Sequence, residues 1–221
     1  MPNIVWNKVV CEGIAAMPIY RTIETTVNGE NEHIKEFDFN VAIPEPEGLE
    51  DAPGGWENRS YLWLIKKMLM SHTAVYMRDL INEVVLAAEM RMWNVQPEAP
   101  KGLESHIRNL IRTGEPSWYE WRRRHWGTKW NAYETNIVDS DTIVFKTAWN
   151  PVPTVIKEFA ERFGLKKIEY SWVSEEYTEN GRMIFTPHGR SAAFIPLKTD
   201  ERGVPLLFEE LFGYYPEEEE E

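Results

Sequence analysis

The pattern of hydrophobic and polar residues predicts three strands near the start of the chain and four more in its second half. Segments that are rich in β-branched residues or that alternate between apolar and polar positions, bounded by turn residues, are typical of strands. The predicted strands are residues 4–12, 19–27, 34–41, 132–138, 142–149, 168–173 and 183–186. Asn28 with Gly29, and Asn180 with Gly181, predict tight turns because these residue types tolerate positive φ. Ile143, Phe145, Thr147 and Trp149 are expected on one face of their strand.

Apolar residues at spacings of three and four predict helices between these strands. Residues 60–93 predict two helices or one bent helix, and residues 103–112 predict another that Gly114 caps. Ser117 and Glu120 have the spacing of a capping box, which predicts a short helix that Gly127 ends. The strongest stripe belongs to residues 152–163, where Asn150 suits the N-cap and Pro151 the first helical position.

This order of elements is the split βαββαβ arrangement of an α+β fold, with an antiparallel sheet and a large helical insertion after the first strand. We expect a discontinuous sheet domain formed by residues 1–59 and 115–213. Residues 60–114 are predicted to form the helical insertion lobe. Residues 214–221 end in five glutamates, and such a block of like charges predicts an acidic disordered tail.

Composition and charge narrow the classes of function. The chain has 221 residues, 43% of them hydrophobic, and a formal net charge of −12. An acidic surface repels phosphate backbones, so nucleic acid is a disfavoured partner. The apolar runs are shorter than the roughly 20 residues of a membrane span, so no membrane contact is expected. The segment "MPNIVWNKVVCEG" lacks the layout of a signal peptide, which predicts a cytoplasmic protein.

Residue types that carry catalysis or bind metals occur without the spacing that either role needs. No HxxxH or HExxH spacing occurs, and neither a GxGxxG nor a GK[ST] phosphate loop is present. Cys11 is the single cysteine, and we expect a buried structural thiol instead of a nucleophile. The five histidines are widely separated: His33, His72, His106, His125 and His188. We therefore predict that the protein is not an enzyme and holds no metal or organic cofactor.

The segment "WYEWRRRHWGTKW", residues 118–130, has two interpretations. Aromatic rings and guanidinium groups together are typical of single-stranded nucleic-acid binding, where bases stack on rings. The other interpretation is a structural turn, in which the rings pack a helix against a sheet and the arginines pair with carboxylates. We favour the structural turn and expect Trp126 and Trp130 to be largely buried. Candidate contacts to a protein partner or to nucleic acid are Trp118, Trp121, Arg122, Arg123, Arg124 and Lys129.

Four blocks of sequence resemble the YubB ferredoxin-like family of bacterial plasmid and phage proteins. They are the "MPN" start, "FDFNVAIPEPEGL" (residues 37–49), "WGTKWNA" (126–132) and "TAWNPVPTVI" (147–156). The resemblance implies a ferredoxin-like fold in topology only, without an iron–sulfur cluster and without catalytic residues. This chain has "MPNIVW" where the family typically has Trp directly after "MPN". We therefore expect a non-enzymatic accessory protein of a mobile genetic element that acts through contacts with a protein partner.

Overall fold

A computed structural model describes residues 3–27, 30–50, 52, 99–177, 179–186 and 193–212. Contacts between residues divide the chain into two compact units. The first unit comprises Met1–Pro44 and His125–Glu221, and the second comprises Glu45–Arg124. The predicted helices in residues 60–93, most of the predicted lobe 60–114 and the predicted tail 214–221 lie outside the described residues. The domain boundaries predicted from the sequence therefore stay a prediction.

The described residues of the first unit contain strands from both parts of its chain. The strands are β1 (Ile4–Val10), β2 (Tyr20–Val27), β3 (Glu30–Phe37), β4 (Tyr133–Ile137), β5 (Thr142–Ala148), β6 (Ile168–Ser174), β7 (Asn180–Phe185) and β8 (Ala193–Ile195). The helices of the described chain are α1 (Ala99–Thr113), α2 (Trp118–His125), α3 (Pro153–Arg162) and α4 (Leu207–Phe212). Helix α1 and all but the last residue of α2 belong to the second unit.

Six strands form one antiparallel sheet in the order β4-β5-β1-β6-β7-β8. Strand β1 lies between β5 and β6 and runs antiparallel to both, so that Asn7 is paired with Phe145 on one side and with Trp172 on the other. Strands β5 and β6 are therefore parallel, and α3 connects them across β1. This is the predicted split βαββαβ arrangement, extended by β7 and β8 at one edge.

One face of the sheet carries the core beneath α3. Residues of β1 alternate between buried and partly buried, as a strand with one fully covered face should. The apolar stripe of α3 is buried, as the sequence predicted, and Phe159 lies at its centre. Phe37 at the end of β3 contacts both Phe159 and Phe145, with ring centroids 5.7 and 5.2 Å apart. The helix, the hairpin and the sheet thus share one core.

The other face of the sheet is covered by α4. Phe208 and Leu211 of this helix are buried with Val144 and Val173 of the sheet. Trp6 of β1 packs against the end of α4, and neighbouring Lys8 forms an ion pair with Glu210. The sequence analysis predicted neither β8 nor α4, because each is too short for a periodic pattern to stand out.

Among the described residues, β2 and β3 pair only with each other, and the base of this hairpin is anchored to β4. The β4–β5 register shifts between Tyr133 and Asn136, and Glu134 there has a φ of 49°. Buried Glu36 accepts hydrogen bonds from the backbone N–H groups of Glu134 and Thr135, both at 2.8 Å. The bulge would otherwise leave two strand-edge amides without acceptors, so Glu36 protects this edge of the sheet.

The predicted start of α3 was wrong by two residues. The N-cap is Val152, whose side chain makes no capping hydrogen bond, and Pro153 takes the first turn in place of Pro151. Asn150 is therefore not the N-cap; its side-chain amide donates instead to the carbonyl of Gly127 at 3.0 Å. Proline suits the first turn because its nitrogen carries no hydrogen and its fixed φ matches that of a helix.

Two further local predictions need correction. Asn180 and Gly181 lie within β7, and the chain turns before them, where the Ser174 N–H donates to the Glu179 carbonyl at 2.8 Å. At α2 the Ser117 hydroxyl accepts from the Tyr119 N–H at 3.2 Å, as an N-cap does. Glu120 accepts from the Ser117 hydroxyl, however, instead of from its backbone amide, so the predicted capping box is only half formed.

Candidate functional site

The predicted nucleic-acid contacts of α2 are engaged within the second unit. Trp121 is buried, with 4% of its surface exposed. The Arg122 guanidinium lies over the Trp118 ring at 4.9 Å and donates from Nε and Nη2 to the Glu45 carboxylate at 2.9 and 2.7 Å. A guanidinium that is stacked and paired at two nitrogens has most of its donor capacity used inside the protein.

The next two arginines also have neighbours on the same unit. Arg124 forms an ion pair with buried Glu115, with 2.5 Å between Nη1 and Oε1. Arg123 is exposed and lies over the Tyr119 ring at 5.4 Å. Carboxylates therefore face two of the three arginines of the segment, which is the arrangement expected of a structural helix more than of a phosphate-binding groove.

Trp126 joins two of the sequence blocks at the core of the first unit. Its indole is 1% exposed, donates to the Ile43 carbonyl at 2.9 Å and packs edge-on against Phe39, with ring centroids 5.6 Å apart. Asn131, from the same block, accepts from the Phe39 N–H at 2.9 Å and donates to Asp38 at 2.7 Å. The predicted burial of Trp126 is confirmed.

The loop after Trp126 is hydrogen-bonded to the loop after β5. The Thr128 hydroxyl donates to the Ala148 carbonyl at 2.7 Å, and Asn150 donates to the Gly127 carbonyl at 3.0 Å. Gly127 has a φ of 83°, a conformation that costs a side chain-bearing residue about 1 kcal/mol or more. These bonds bring the blocks "WGTKWNA" and "TAWNPVPTVI" together in space.

Trp149 leaves the sheet at this junction and turns outward. Its φ is 72°, in the left-handed region, and its N–H donates to the Asn3 carbonyl at 2.8 Å. In continued strand geometry its side chain would lie on the same face as Phe145 and Thr147, as the sequence predicted. Instead, β5 ends at Ala148 and 37% of Trp149 is exposed. The prediction that Trp149 continues this face of the strand was wrong because the positive φ ends the alternation.

Trp130, like Trp149, is 37% exposed, so the prediction that it is largely buried was wrong. The ammonium group of Lys129 lies 4.7 Å from the centroid of the Trp130 ring and 5.3 Å from that of Trp149. Tyr133 packs edge-on against Trp130, with centroids 6.2 Å apart. We call Lys129, Trp130 and Trp149 the tryptophan surface. Of the sequence-predicted contacts, Lys129 belongs to it.

Carboxylates border the tryptophan surface. Asn3, which accepts from the Trp149 backbone, donates its side-chain amide to Glu176 at 2.8 Å, and Glu175 accepts from the Ile4 N–H at 3.3 Å. The pKa of Tyr133 is raised, first by its burial and then by the charges of Glu134 and Glu175. Within the described residues neither Glu175 nor Glu176 forms a salt bridge, so both present uncompensated negative charge.

Two other places in the first unit are less suited to binding or chemistry. A cleft of about 440 Å³ beside Cys11 is bordered by Asp141 and Glu12, and burial first, then these two charges, raises the pKa of the thiol. A raised pKa disfavours the reactive thiolate. A cleft of about 380 Å³ under α4 contains Lys8 and Arg182, and each is paired with a carboxylate.

The remaining predicted features concern metals and membranes. No group of three or more His, Cys, Asp or Glu side chains suited to a metal ion occurs in the part of the chain that the structure describes. His72 and His188 lie outside it. In the same described residues, no helix has both the length and the hydropathy needed to span a membrane.

Comparison with known proteins places the fold. Residues 125–204 match the family model of the ferredoxin-like domain in Api92-like protein. The match begins where the second part of the first unit begins, and it includes the tryptophan surface. The predicted ferredoxin-like α+β fold is confirmed by this match and by the strand order. No curated protein and no solved structure matches the chain.

Proposed function

We propose that the chain is a non-enzymatic accessory protein of a mobile genetic element and acts by binding a protein partner through the tryptophan surface. The observation that carries the proposal is Trp149, an exposed indole on a backbone with positive φ. A positive φ at a residue other than glycine costs about 1–3 kcal/mol of folding free energy and persists only where the surrounding structure fixes it. Such strained residues are frequent at binding sites.

The geometry around Trp149 suits a protein interface. Tryptophan is among the residues that most often dominate binding energy at protein interfaces. Here two partly exposed indoles lie close to the ammonium group of Lys129, and the hydrogen bonds of Thr128 and Asn150 fix the loops that carry them. A surface that is ordered before binding loses less conformational entropy when the partner arrives.

The cellular context in the proposal rests on the sequence blocks alone. The blocks that resemble plasmid and phage proteins, "WGTKWNA" and "TAWNPVPTVI", contain all three residues of the tryptophan surface. We therefore propose that a role shared with those plasmid and phage proteins involves binding at the tryptophan surface.

Single-stranded nucleic-acid binding by residues 118–130 is the weaker alternative. A stacking platform needs exposed rings beside a continuous positive groove. Trp121 is buried, and Arg122 and Arg124 face carboxylates in their own unit. The formal net charge of −12 opposes the approach of a polyanion as well.

Affinity capture from a bacterial lysate tests the proposed function. The bait is the full chain, compared with a variant that carries Trp130→Ala and Trp149→Ala and with Leu206→Ala, which truncates another exposed apolar residue. We expect a specific protein to be retained by the wild type and by Leu206→Ala and to be lost from the double variant. Thermal unfolding of each bait controls for folding. Equal capture by the double variant, or capture of single-stranded nucleic acid instead of protein, would contradict the proposal.

A further inference from the structure

We infer that the partner presents a basic, arginine-containing segment to the tryptophan surface, with guanidinium groups over the indoles and paired with Glu175 and Glu176. This inference rests on the proposed function, because it specifies the chemistry of the partner at the same site. It follows from three properties of the described residues of the first unit: rings that attract a cation, two carboxylates that form no salt bridge, and an excess of those carboxylates over Lys129.

The rings of the tryptophan surface already attract a cation. Lys129 holds its ammonium group within 5.3 Å of both ring centroids, inside the roughly 6 Å range of cation–π attraction. The position of the Lys129 ammonium group shows that the electron-rich faces of both indoles attract a cation here. The exposed parts of both rings offer the same attraction to a cation from outside.

In the part of the chain that the structure describes, no salt bridge joins Glu175 or Glu176 to a cation. Glu176 accepts from the neutral side chain of Asn3, and Glu175 accepts from a backbone amide. Glu134, by contrast, forms an ion pair with Lys146. A hydrogen bond from a neutral donor leaves the carboxylate charge in place, so Glu175 and Glu176 can each pair with an incoming cation.

The local charge selects against the other candidates. Within the described residues, Lys129 stands against Glu175 and Glu176 at the surface, while Lys146 is paired with Glu134. A polyanion such as nucleic acid is repelled by this surface and by the net charge of the whole chain. An uncharged apolar segment would cover the rings but would leave the two carboxylates without partners.

Arginine fits this arrangement better than lysine does. A guanidinium is planar, so one face can stack on an indole while its edge donates two hydrogen bonds to a carboxylate. The ammonium of lysine is a compact, strongly hydrated charge that cannot do both in the same orientation. We therefore expect the partner segment to be recognised by its arginines and not by positive charge alone.

Fluorescence anisotropy with defined peptides tests the inference on the full chain. The probes are a labelled nonapeptide of alternating arginine and glycine, the same peptide with lysine in place of arginine, and an oligothymidine of similar length. We expect the arginine peptide to bind most tightly, with an affinity that falls as salt is added. Tighter binding of the lysine peptide or of oligothymidine would overturn the inference, and so would the absence of binding by the arginine peptide.

A pair of charge-matched variants separates site binding from general attraction. Glu175→Gln with Glu176→Gln removes the two carboxylates at the surface, and Glu201→Gln with Glu209→Gln removes two exposed carboxylates elsewhere in the same unit. We expect the first pair to weaken arginine-peptide binding by about tenfold, the size of one charge-assisted contact, and the second pair to change it less than about twofold. Equal weakening by both pairs would show that net charge alone attracts the peptide and would overturn the inference.

The ring variants complete the design. Trp149→Ala and Trp149→Phe, each checked by thermal unfolding, are expected to weaken arginine-peptide binding by about tenfold and about threefold. Phenylalanine keeps a smaller ring, so it remains informative if the alanine variant does not fold. If the arginine peptide fails to bind but the ring variants still lose the captured partner, this inference falls and the proposed function stands. If partner capture is also independent of the rings, both fall.

Discussion

Replacing Tyr170 by phenylalanine removes one hydroxyl from a hydrogen-bond network in the middle of the sheet. The hydroxyl donates to Asn7 Oδ1 at 2.6 Å and accepts from the Val152 N–H at 2.8 Å. The Asn7 side chain in turn donates to the Thr147 hydroxyl at 2.9 Å. Asn7 and Tyr170 are completely buried. The network therefore joins β1, β5 and β6 to the first turn of α3, the core of the split βαβ unit.

The magnitude of the effect follows from the two groups that lose their partner. In the variant the Val152 N–H and Asn7 Oδ1 both face the space left by the hydroxyl. A buried polar group without a partner costs about 1–3 kcal/mol, so we expect Tyr170→Phe to lower the free energy of unfolding by about 2–4 kcal/mol at pH 7. Urea denaturation followed by tryptophan fluorescence measures the loss. Tyr177→Phe, which alters an exposed tyrosine, is the control and should cost less than about 0.5 kcal/mol.

The same variant has a predicted pH dependence. Burial raises the pKa of Tyr170 well above its ordinary value, although the hydrogen bond from the Val152 N–H lowers it in part. The unfolded chain therefore releases this proton near pH 10, while the folded protein retains it. The stability contributed by the hydroxyl is fully present below pH 10 and declines above it by about 1.4 kcal/mol per pH unit. The difference between wild type and Tyr170→Phe should shrink accordingly between pH 10 and pH 11.5. A difference that is below about 0.5 kcal/mol at pH 7, or that stays constant over that range, would refute this reasoning.

The remaining predictions concern other parts of the first unit. Trp126→Ala should lower the free energy of unfolding by about 3–5 kcal/mol because it leaves a cavity where a buried indole was. Trp130→Ala should lower it by less than about 1 kcal/mol. Urea denaturation of both variants measures these losses, and equal losses would contradict the prediction. Cys11 should react with a thiol reagent at pH 8 only as fast as the protein unfolds, because burial and nearby carboxylates raise the pKa of its thiol. Rapid labelling of the folded protein would contradict this prediction. Glu36→Gln should lower the free energy of unfolding by about 1–2 kcal/mol and speed hydrogen exchange at the backbone N–H of Thr135. The reason is that the glutamine side chain has one acceptor oxygen for the two backbone donors, Glu134 and Thr135. Unchanged exchange at Thr135 would exclude the edge-protecting role.

The sequence predicted the elements whose patterns are long and regular. The stripe of α3 and the alternation of β1 each repeat often enough to stand out, and the Asp-Ser-Asp residues between β4 and β5 marked their turn. These elements alone determine the split βαββαβ topology, because β1 must lie between two strands joined by a helix. For this reason the fold class was predicted correctly although several element boundaries were not.

The missed features depend on contacts between distant parts of the chain. Helix α4 has six residues, too few for a stripe to be recognised, and it is held by Phe208 against the sheet. The left-handed conformation of Trp149 has no sequence signature either, because glycine and asparagine are the residues that normally indicate it. Only the positions of Asn3 and Thr128 reveal why that conformation is stable here.

The segment "WYEWRRRHWGTKW" shows why the interpretation as a structural turn was right for Trp126 and wrong for Trp130. Gly127, whose positive φ ends the helical geometry, lies between the two rings. Trp126 lies before that break and enters the core, while Trp130 lies after it and remains on the surface. The hydrogen bond from Thr128 to the Ala148 carbonyl holds the loop after Gly127 against the end of β5. Trp149 is the next residue after that end. The bonds that stabilise the fold at this junction therefore also keep two indoles exposed and in fixed positions. A partner that binds there would meet a surface whose strain and ordering were already offset during folding.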